Sequence, residues 1–459
     1  MSLNNTKISI ETIHSIFEKA RNIFFIGIGG VSMNSLAWFC KSCGKEIFGY
    51  DKIHSKATKE LEKIGKIKHY STPDNVTGMD MVIYTTAIDE HNFEYRRAKK
   101  LKIPLISRAN FLGYVLSLHK TKIGVCGMHG KSTTTAMLTH IFDYALKSPT
   151  AFCGAEMIKY GKCFTLGGRD VCIFEACEYK NSFLSLPTTD ALILNIDYDH
   201  PDFFDSIEDV KKSFQKYANS AHRVLLNSDD EEALSINHPN IVTFGFGESS
   251  TYRAEIVATG ESPAKTVFLI YNENIPIAAC ALPLVGKHFV TDALAAFAVA
   301  HQNSIPSDVI CRAISIFQGN ARRMEFIAKA NTGADIFEDY AHHPKEVEAT
   351  LSALSQMGYK NILCVFQAHT YSRTYFLYDS FTKAFALASK LIIAPVFPAR
   401  EENIYELSEE QFAKDCGGDF CESIEEIAHR VDKTDCDAVV LMGAGDLSQN
   451  IKAYLARAK

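Results

Sequence analysis

Tryptophan occurs once, at Trp38, and no stretch of the 459 residues approaches the ~18 unbroken apolar positions that a membrane span requires. The first 19 residues mix Lys, Asn, Glu and His with isolated apolar positions and lack the apolar block of a secretory signal. Neither export nor membrane insertion is expected. Basic charge is not in excess: the formal net charge is -6 at pH 7, which argues against a broad nucleic-acid-binding surface but leaves room for local basic pockets around phosphorylated small molecules. There is no internal repeat and no low-complexity tract. A pair with zinc-like spacing, Cys40 and Cys43, has no matching second pair and reads as ordinary. The 13 cysteines lie mostly in apolar runs such as 123–126 and 171–177, so they are expected to be reduced small hydrophobes, which favours the cytosol.

What is present is ample core material. The chain is 47% hydrophobic and 22% charged, and its length suits two to four domains. The lone Trp38 and the many Phe and Tyr residues read as packing residues, not as a stacking platform.

The first segment opens on an apolar run at 23–26, a glycine turn Gly27-Ile28-Gly29-Gly30 and a helical pattern at 33–39. Strand, turn and helix in that order begin an α/β unit. Strand candidates at 46–50, 79–85 and 101–107 and a helix-like stretch at 110–118 carry the pattern to Lys120. A second segment starts with a strand-like run at 122–126 and a helix at 133–146, followed by strand candidates at 171–174, 191–196 and 223–227. Each of these later runs ends in polar or acidic residues, so chemistry is expected at the C-terminal ends of a mostly parallel sheet. Residues 252–281 alternate in part and carry turn signals, which predicts an antiparallel patch. From about 317–323 a third α/β series follows, with strands at 335–337, 362–366, 391–395 and 438–442 and helices at 344–356 and 378–388.

The strongest chemical signal is Gly127-Met128-His129-Gly130-Lys131-Ser132-Thr133 between a strand and a helix. In a phosphate loop, glycines let backbone N–H groups turn toward the anion, the helix start adds a favourable dipole, lysine reaches the terminal phosphates and a hydroxyl joins a magnesium shell. The full GxxxxGKS form is not met, because Val125 occupies the first glycine position. Candidate metal-associated side chains after strands of the same segment are Glu175, with Glu178 nearby, and Asp197, Asp199 and His200. In the first turn the third glycine of a dinucleotide fingerprint is Ser32, and Asp51 ends the next strand, where it could contact a ribose. On local sequence NAD and a UDP-type ligand both remain open.

The third segment concentrates cations and rings in Arg322-Arg323, in Asp339-Tyr340-Ala341-His342-His343-Pro344 and in His369 to Arg373. Arginine forks suit the holding of two anionic reactants together. A metal shared by His342 and His343 is disfavoured, since successive side chains on a regular element do not share a face.

Taken in order, these motifs resemble the Mur ligase family of cell-wall synthesis over nearly the whole chain. Further motifs carrying the likeness are Glu175-Ala176-Cys177-Glu178, residues 195–200, 286–296, 366–374 and 442–446. The resemblance implies an α/β protein of three domains: a Rossmann-like UDP-sugar-binding domain at 1–119, a P-loop ATPase domain at 120–318 and a C-terminal α/β closure domain at 319–459. It implies ATP-dependent joining of L-alanine to UDP-N-acetylmuramate through an acyl phosphate, with Mg2+, and no nucleic-acid partner. Two rivals are a murein-peptide ligase of the same family and a non-catalytic nucleotide-sensing or scaffold protein.

By position, the likeness makes Lys131, Glu175, His200, Arg322, Arg323, His342 and Arg373 catalytic. It assigns the nucleotide to Gly127, His129, Gly130, Lys131, Ser132, Thr133, His288, Asp292 and Asp339, and the metal to Ser132, Glu175 and His200. The other substrates fall to Gly27, Gly29, Gly30, Ser32, Asp51, Thr86, His342, His369 and Arg373. Among the departures from the family pattern, Met128 stands for a threonine, Lys180 for an acidic residue, and Asp292 for the asparagine that approaches adenine. An ionised Asp292 could not donate as an amide does.

Overall fold

The computed structural model describes residues 8–457 apart from 86, 89, 200–202, 262, 263 and 400. Thr86 and His200 therefore lie outside the described residues.

The first sheet holds β1 (Asn22–Ile26), β2 (Glu46–Tyr50), β3 (Gly65–Lys68), β4 (Met81–Tyr84) and β5 (Leu105–Ser107), all parallel in the order β3-β2-β1-β4-β5. Its central strands are apolar throughout because both faces are covered. Ile23, Phe25, Met81 and Ile83 join one cluster, and Phe24, Ile26, Val82 and Tyr84 the other. The order reverses between β1 and β4, which opens a crevice beyond their C-terminal ends at the Gly27–Gly30 turn. A helix unforeseen from the sequence, Ile10–Lys19, precedes β1; Ser9 caps it, and Ile13 and Phe17 are its buried residues.

The second sheet has ten strands: β6 (Thr121–Cys126), β7 (Thr150–Met157), β8 (Lys162–Thr165), β9 (Val171–Glu175), β10 (Asp190–Ile193), β11 (Arg223–Asn227), β12 (Ile241–Gly245), β13 (Tyr252–Glu261), β14 (Ala264–Asn272) and β15 (Ile275–Leu282). Their order is β15-β14-β13-β12-β11-β10-β6-β9-β7-β8. The centre is parallel, and β13 to β15 form the antiparallel patch expected over 252–281. The third sheet is built from β16 (Glu325–Lys329), β17 (Asp335–Asp339), β18 (Ile362–His369), β19 (Lys390–Phe397), β20 (Asp419–Phe420) and β21 (Ala438–Met442), in the order β16-β17-β21-β18-β19-β20. One apolar cluster runs from the helix Lys131–Tyr144 through the helix Lys287–Gln302 to Val347 and Leu351, so the second and third units share a continuous core.

Two expectations need correction. The helix foreseen over 378–388 ends at Ala384, and a separate short helix, Tyr371–Phe376, precedes it. The cysteines are not all free: Cys280 on β15 is bonded to Cys311 on the helix Ser307–Ser315 packed beside it, and the other 11 are thiols. Spacing along the chain could not reveal this pair, because 31 residues separate its members. No helix among the described residues is long and apolar enough to cross a membrane.

Candidate active site

The phosphate-loop sequence turns between β6 and the helix Lys131–Tyr144, whose N-cap, Gly130, sits at φ +81°. Only glycine fits there for a second reason: a Cβ would lie 2.5 Å from Asp292 Oδ1. Asn195, just past β10, braces the turn from the side. Its Oδ1 accepts from the His129 backbone N–H at 2.9 Å, and its amide donates to the His129 carbonyl at 3.1 Å. Lys131 folds back over the loop, donating to the Gly127 and Met128 carbonyls and pairing with Glu178 at 3.3 Å. Burial works against the ammonium, but the carboxylate of Glu178 and the acidic groups beside it hold its pKa above the ordinary lysine value.

Glu175 ends β9 directly opposite Val125 of β6, so the strand register delivers its carboxylate to the loop's base. Oε1 accepts from the Gly154 N–H, and the Cys153 thiol donates to it at 3.4 Å. With the Ser132 hydroxyl in the first helical turn, Glu175 offers the oxygen donors that a hard divalent cation takes. This donor chemistry fits Mg2+.

A cavity of about 300 Å³ opens beside the loop, lined on the central side by Gly130, Thr133, Leu194, Phe289 and Asp292. The third unit closes it with Arg323, Asp339, Lys345 and Glu346. Two contacts tie that unit to the loop and to the strand end after β10: the His129 ring bonds Glu346 at 3.1 Å, and Lys345 pairs with Asp197 at 2.6 Å. Burial would raise the Glu346 carboxyl, yet the His129 ring bonded to it and the Arg323 guanidinium beside it hold it well below the usual range. Burial keeps His288 neutral, pushed down to about 4, and lifts Asp292 to about 8 and Asp339 to about 6. The Asp339 carboxylate accepts from the Met324 and Ala341 N–H groups, both at 2.8 Å, and so pins the turn that carries Arg323.

The adjacent histidines, in the turn between β17 and the helix Pro344–Gln356, part company. His342 lies 5.8 Å, ring to ring, from His369, and burial pushes it down to about 3. His343 lies 4.7 Å from His129, and with Asp197 these two rings form one of two His/Cys/Asp/Glu groups among the described residues compact enough to share a cation. Arg373 donates to His369 Nδ1 at 3.1 Å and forks onto Asp199. The two neighbouring arginines also separate. Arg323 faces the cavity, whereas Arg322 is drawn into its own unit by Glu338 at 2.7 Å and by the carbonyls of Gly443 and Gly445.

A second cavity, of about 910 Å³, lies at the switch point of the first sheet and is lined by Gly27, Gly29, Gly30, Ser32, Asp51 and Arg108 among others. Asp51 is oriented by the turn itself: its Oδ2 accepts from the Gly29 N–H at 2.8 Å and its Oδ1 from Ile53 N–H at 3.0 Å. Arg108 donates to Ser32 at 3.2 Å and has no carboxylate partner among the described residues. Residues 195–200 stand out as a motif, but nothing in local sequence gives Asn195 its bracing role or marks Arg108 or Glu346, since their partners lie 66, 76 and 217 positions away.

Three domain descriptions match the chain in succession: "Mur ligase family, catalytic domain" over residues 22–120, "Mur ligase middle domain" over 125–300 and "Mur ligase, glutamate ligase domain" over 322–445. A UDP-N-acetylmuramate--L-alanine ligase of Caldanaerobacter subterraneus is 38% identical over 393 residues, covering 84% of this chain and 85% of the relative. The enzyme of the same name from Clostridium kluyveri is 36% identical, covering 96% of this chain and 99% of the relative. Among solved structures, a UDP-N-acetylmuramate-alanine ligase from Thermotoga maritima superposes with a TM-score of 0.82 at 25% identity, over 95% of this chain and 99% of that one. A murein peptide ligase from Psychrobacter arcticus shares the fold at a TM-score of 0.70 and 20% identity, over 95% and 98% of the two chains.

Proposed function

The chain belongs to the Mur ligase family, and from that premise we propose that it joins L-alanine to UDP-N-acetylmuramate at the expense of ATP. The observation that carries this reading is the Gly127 to Ser132 loop, opening into a cavity that a third unit closes with Arg323 and Lys345. Residues 1–119 are taken as the UDP-sugar domain, 120–318 as the ATPase domain and 319–459 as the closure domain.

A carboxylate is a poor acyl donor in water, so the reaction runs through an acyl phosphate. The muramoyl carboxylate attacks the terminal phosphorus of ATP, ADP leaves, and the amine of L-alanine then displaces phosphate to form the amide. Lys131 and the N–H groups of the loop hold the terminal phosphates, which requires Lys131 to exchange its carbonyl contacts for phosphate oxygens. Ser132, Glu175 and His200 would hold Mg2+, which when bound offsets charge on the transferring phosphoryl group. Arg323 approaches from the closing unit, where a guanidinium fork suits phosphate oxygens. His342, His369 and Arg373 line the junction for the amine-bearing partner. His342 is held neutral, so it adds no positive charge to repel an incoming ammonium. Arg108, Asp51, Ser32 and the glycine turn receive the UDP-sugar. Closure excludes water that would hydrolyse the acyl phosphate.

The sequence relatives support L-alanine over a peptide as the incoming amine, and the murein peptide ligase likeness supports the fold alone. A cytosolic setting follows from this substrate pair. The test is to follow ADP and UDP-N-acetylmuramoyl-L-alanine with purified protein and Mg2+, offering L-alanine, L-serine, glycine and the tripeptide in parallel. L-alanine should be used preferentially. Absence of any amide product from folded protein at saturating substrates refutes the reading.

A further inference from the structure

The cavity beside the phosphate loop contains a carboxyl group with no counter-ion. Asp292 lies on the helix Lys287–Gln302 and is 6% exposed. Its Oδ1 accepts a hydrogen bond from the Thr134 hydroxyl at 3.1 Å and sits against Gly130, where a Cβ would come within 2.5 Å of it. No Lys, Arg or His among the described residues forms an ion pair with it.

Burial outweighs what its surroundings offer a negative charge, which is the Thr134 hydroxyl and a share of Arg323. On its own helix, His288 is neutral, and Phe289 lines the same cavity. From the phosphate-loop helix come the uncharged Thr133 and Thr134. The strand ends contribute Leu194, Asp197 and Asp230, and Lys345 is spent on Asp197. The third unit adds Asp339 and Glu346, which repel a further anion, and Arg323, whose attraction Asp292 shares with both. His129 is engaged by Glu346. An ionised carboxylate here would also face the polyphosphate that the loop is built to receive.

We propose that Asp292 works as a neutral carboxylic acid that donates a hydrogen bond to the bound nucleotide, making nucleotide affinity conditional on the proton it carries. The inference rests on the nucleotide reading of this cavity. With Oδ1 occupied by Thr134, the proton resides on Oδ2, which becomes the donor left for an acceptor on the nucleoside. A protonated Asp thereby sets a donor beside an acceptor, as an asparagine amide does, with one N–H fewer. Once ionised it can only accept, and the donor is lost. Burial lifts this carboxyl to about 8, so the transition falls within reach of ordinary buffers.

The experiment is calorimetric titration of the holoprotein with a non-hydrolysable ATP analogue and Mg2+ between pH 7 and 9.5, for the native chain and Asp292→Asn. UDP-N-acetylmuramate binding on the same samples serves as the check on folding. If only the protonated form binds, Kd rises about 30-fold over that range for a group titrating near 8. Asp292→Asn should bind as the native chain does at pH 7 and stay flat to pH 9.5. A flat native profile, an equally steep Asp292→Asn profile, or loss of binding by Asp292→Asn at pH 7 overturns the proposal. Absence of analogue binding by both proteins at every pH, with the sugar nucleotide still bound, overturns the nucleotide reading itself.

Discussion

Arg373 and Asp199 meet side-on across the junction of the second and third units, Nε to Oδ1 at 3.1 Å and Nη2 to Oδ2 at 3.2 Å, with each side chain 8% exposed. A fork of this kind ties the units together at the place where the amine-bearing substrate is proposed to bind. Removing the guanidinium takes both of these charge-assisted hydrogen bonds away from a buried carboxylate, at a cost of about 1.5–3 kcal/mol for each. Arg373→Ala should therefore lower both stability and turnover. Arg373→Lys should fail to restore turnover, because one ammonium cannot replace two parallel donors. Thermal melts and steady-state rates of both variants check this, and a native melt for Arg373→Ala would remove the structural half of the claim.

Lys131 and Glu178 separate catalysis from folding. Glu178 has a side chain 1% exposed and pairs with Lys131, so Lys131→Ala should lower stability by removing that buried counter-charge as well as lower turnover about 100-fold or more. Adding Glu178→Gln should recover part of the stability and none of the turnover. Recovery of both would take the phosphate role away from Lys131.

Arg108 tests the first cavity. A guanidinium without a carboxylate partner among the described residues awaits an anion, and charge-assisted hydrogen bonds contribute about 1.5–3 kcal/mol. Arg108→Ala should raise KM for UDP-N-acetylmuramate about 10–100-fold and leave KM for ATP near its native value. An equal rise in both constants would point to a general distortion.

Asn195→Ala removes both hydrogen bonds to the His129 backbone and leaves the loop unbraced. KM for ATP should rise about tenfold, in keeping with about 1–2 kcal/mol of lost order, with little change in KM for the sugar nucleotide. Steady-state kinetics on the two substrates decides it.

Asp292 also makes a stability prediction with a definite sign. Its folded carboxyl is raised to about 8, whereas the unfolded chain releases that proton in the usual carboxylate range near 4. Stability from this group is thus complete at low pH and is lost as pH rises from about 4 to about 8. The melting temperature of Asp292→Asn relative to the native chain should climb by a few degrees across that window and then level off. A pH-independent difference would mean the carboxyl titrates normally.

The parallel sheets were legible because buried strands such as 23–26 and 122–126 are continuous apolar runs flanked by glycine turns and helices. The loop was equally legible, since its function requires contiguous residues. What sequence concealed is everything supplied across space. The helix Ile10–Lys19 was hidden because only Ile13 and Phe17 of its ten residues are buried. The engagement of Arg322 with Glu338 and the brace at Asn195 depend on how distant segments of one unit pack, and the His129 to Glu346 contact on how the second and third units meet. Asp292 looked like a defect in the sequence, because only burial tells whether a carboxyl is an anion or an acid.

The register that sets Val125 beside Glu175, and Cys126 beside Ile193, carries a cost for misassembly. Side chains alternate between faces with every step along a strand, so sliding β9 one position past β6 would aim Glu175 away from the phosphate loop and drive an apolar neighbour toward it. The same slip would exchange Ile173 with Cys172 and Phe174 between the two packed faces of β9, so side chains of the wrong size and shape would meet both cores. Competence for chemistry and completion of this sheet are thus decided together, at the moment β6 and β9 zip.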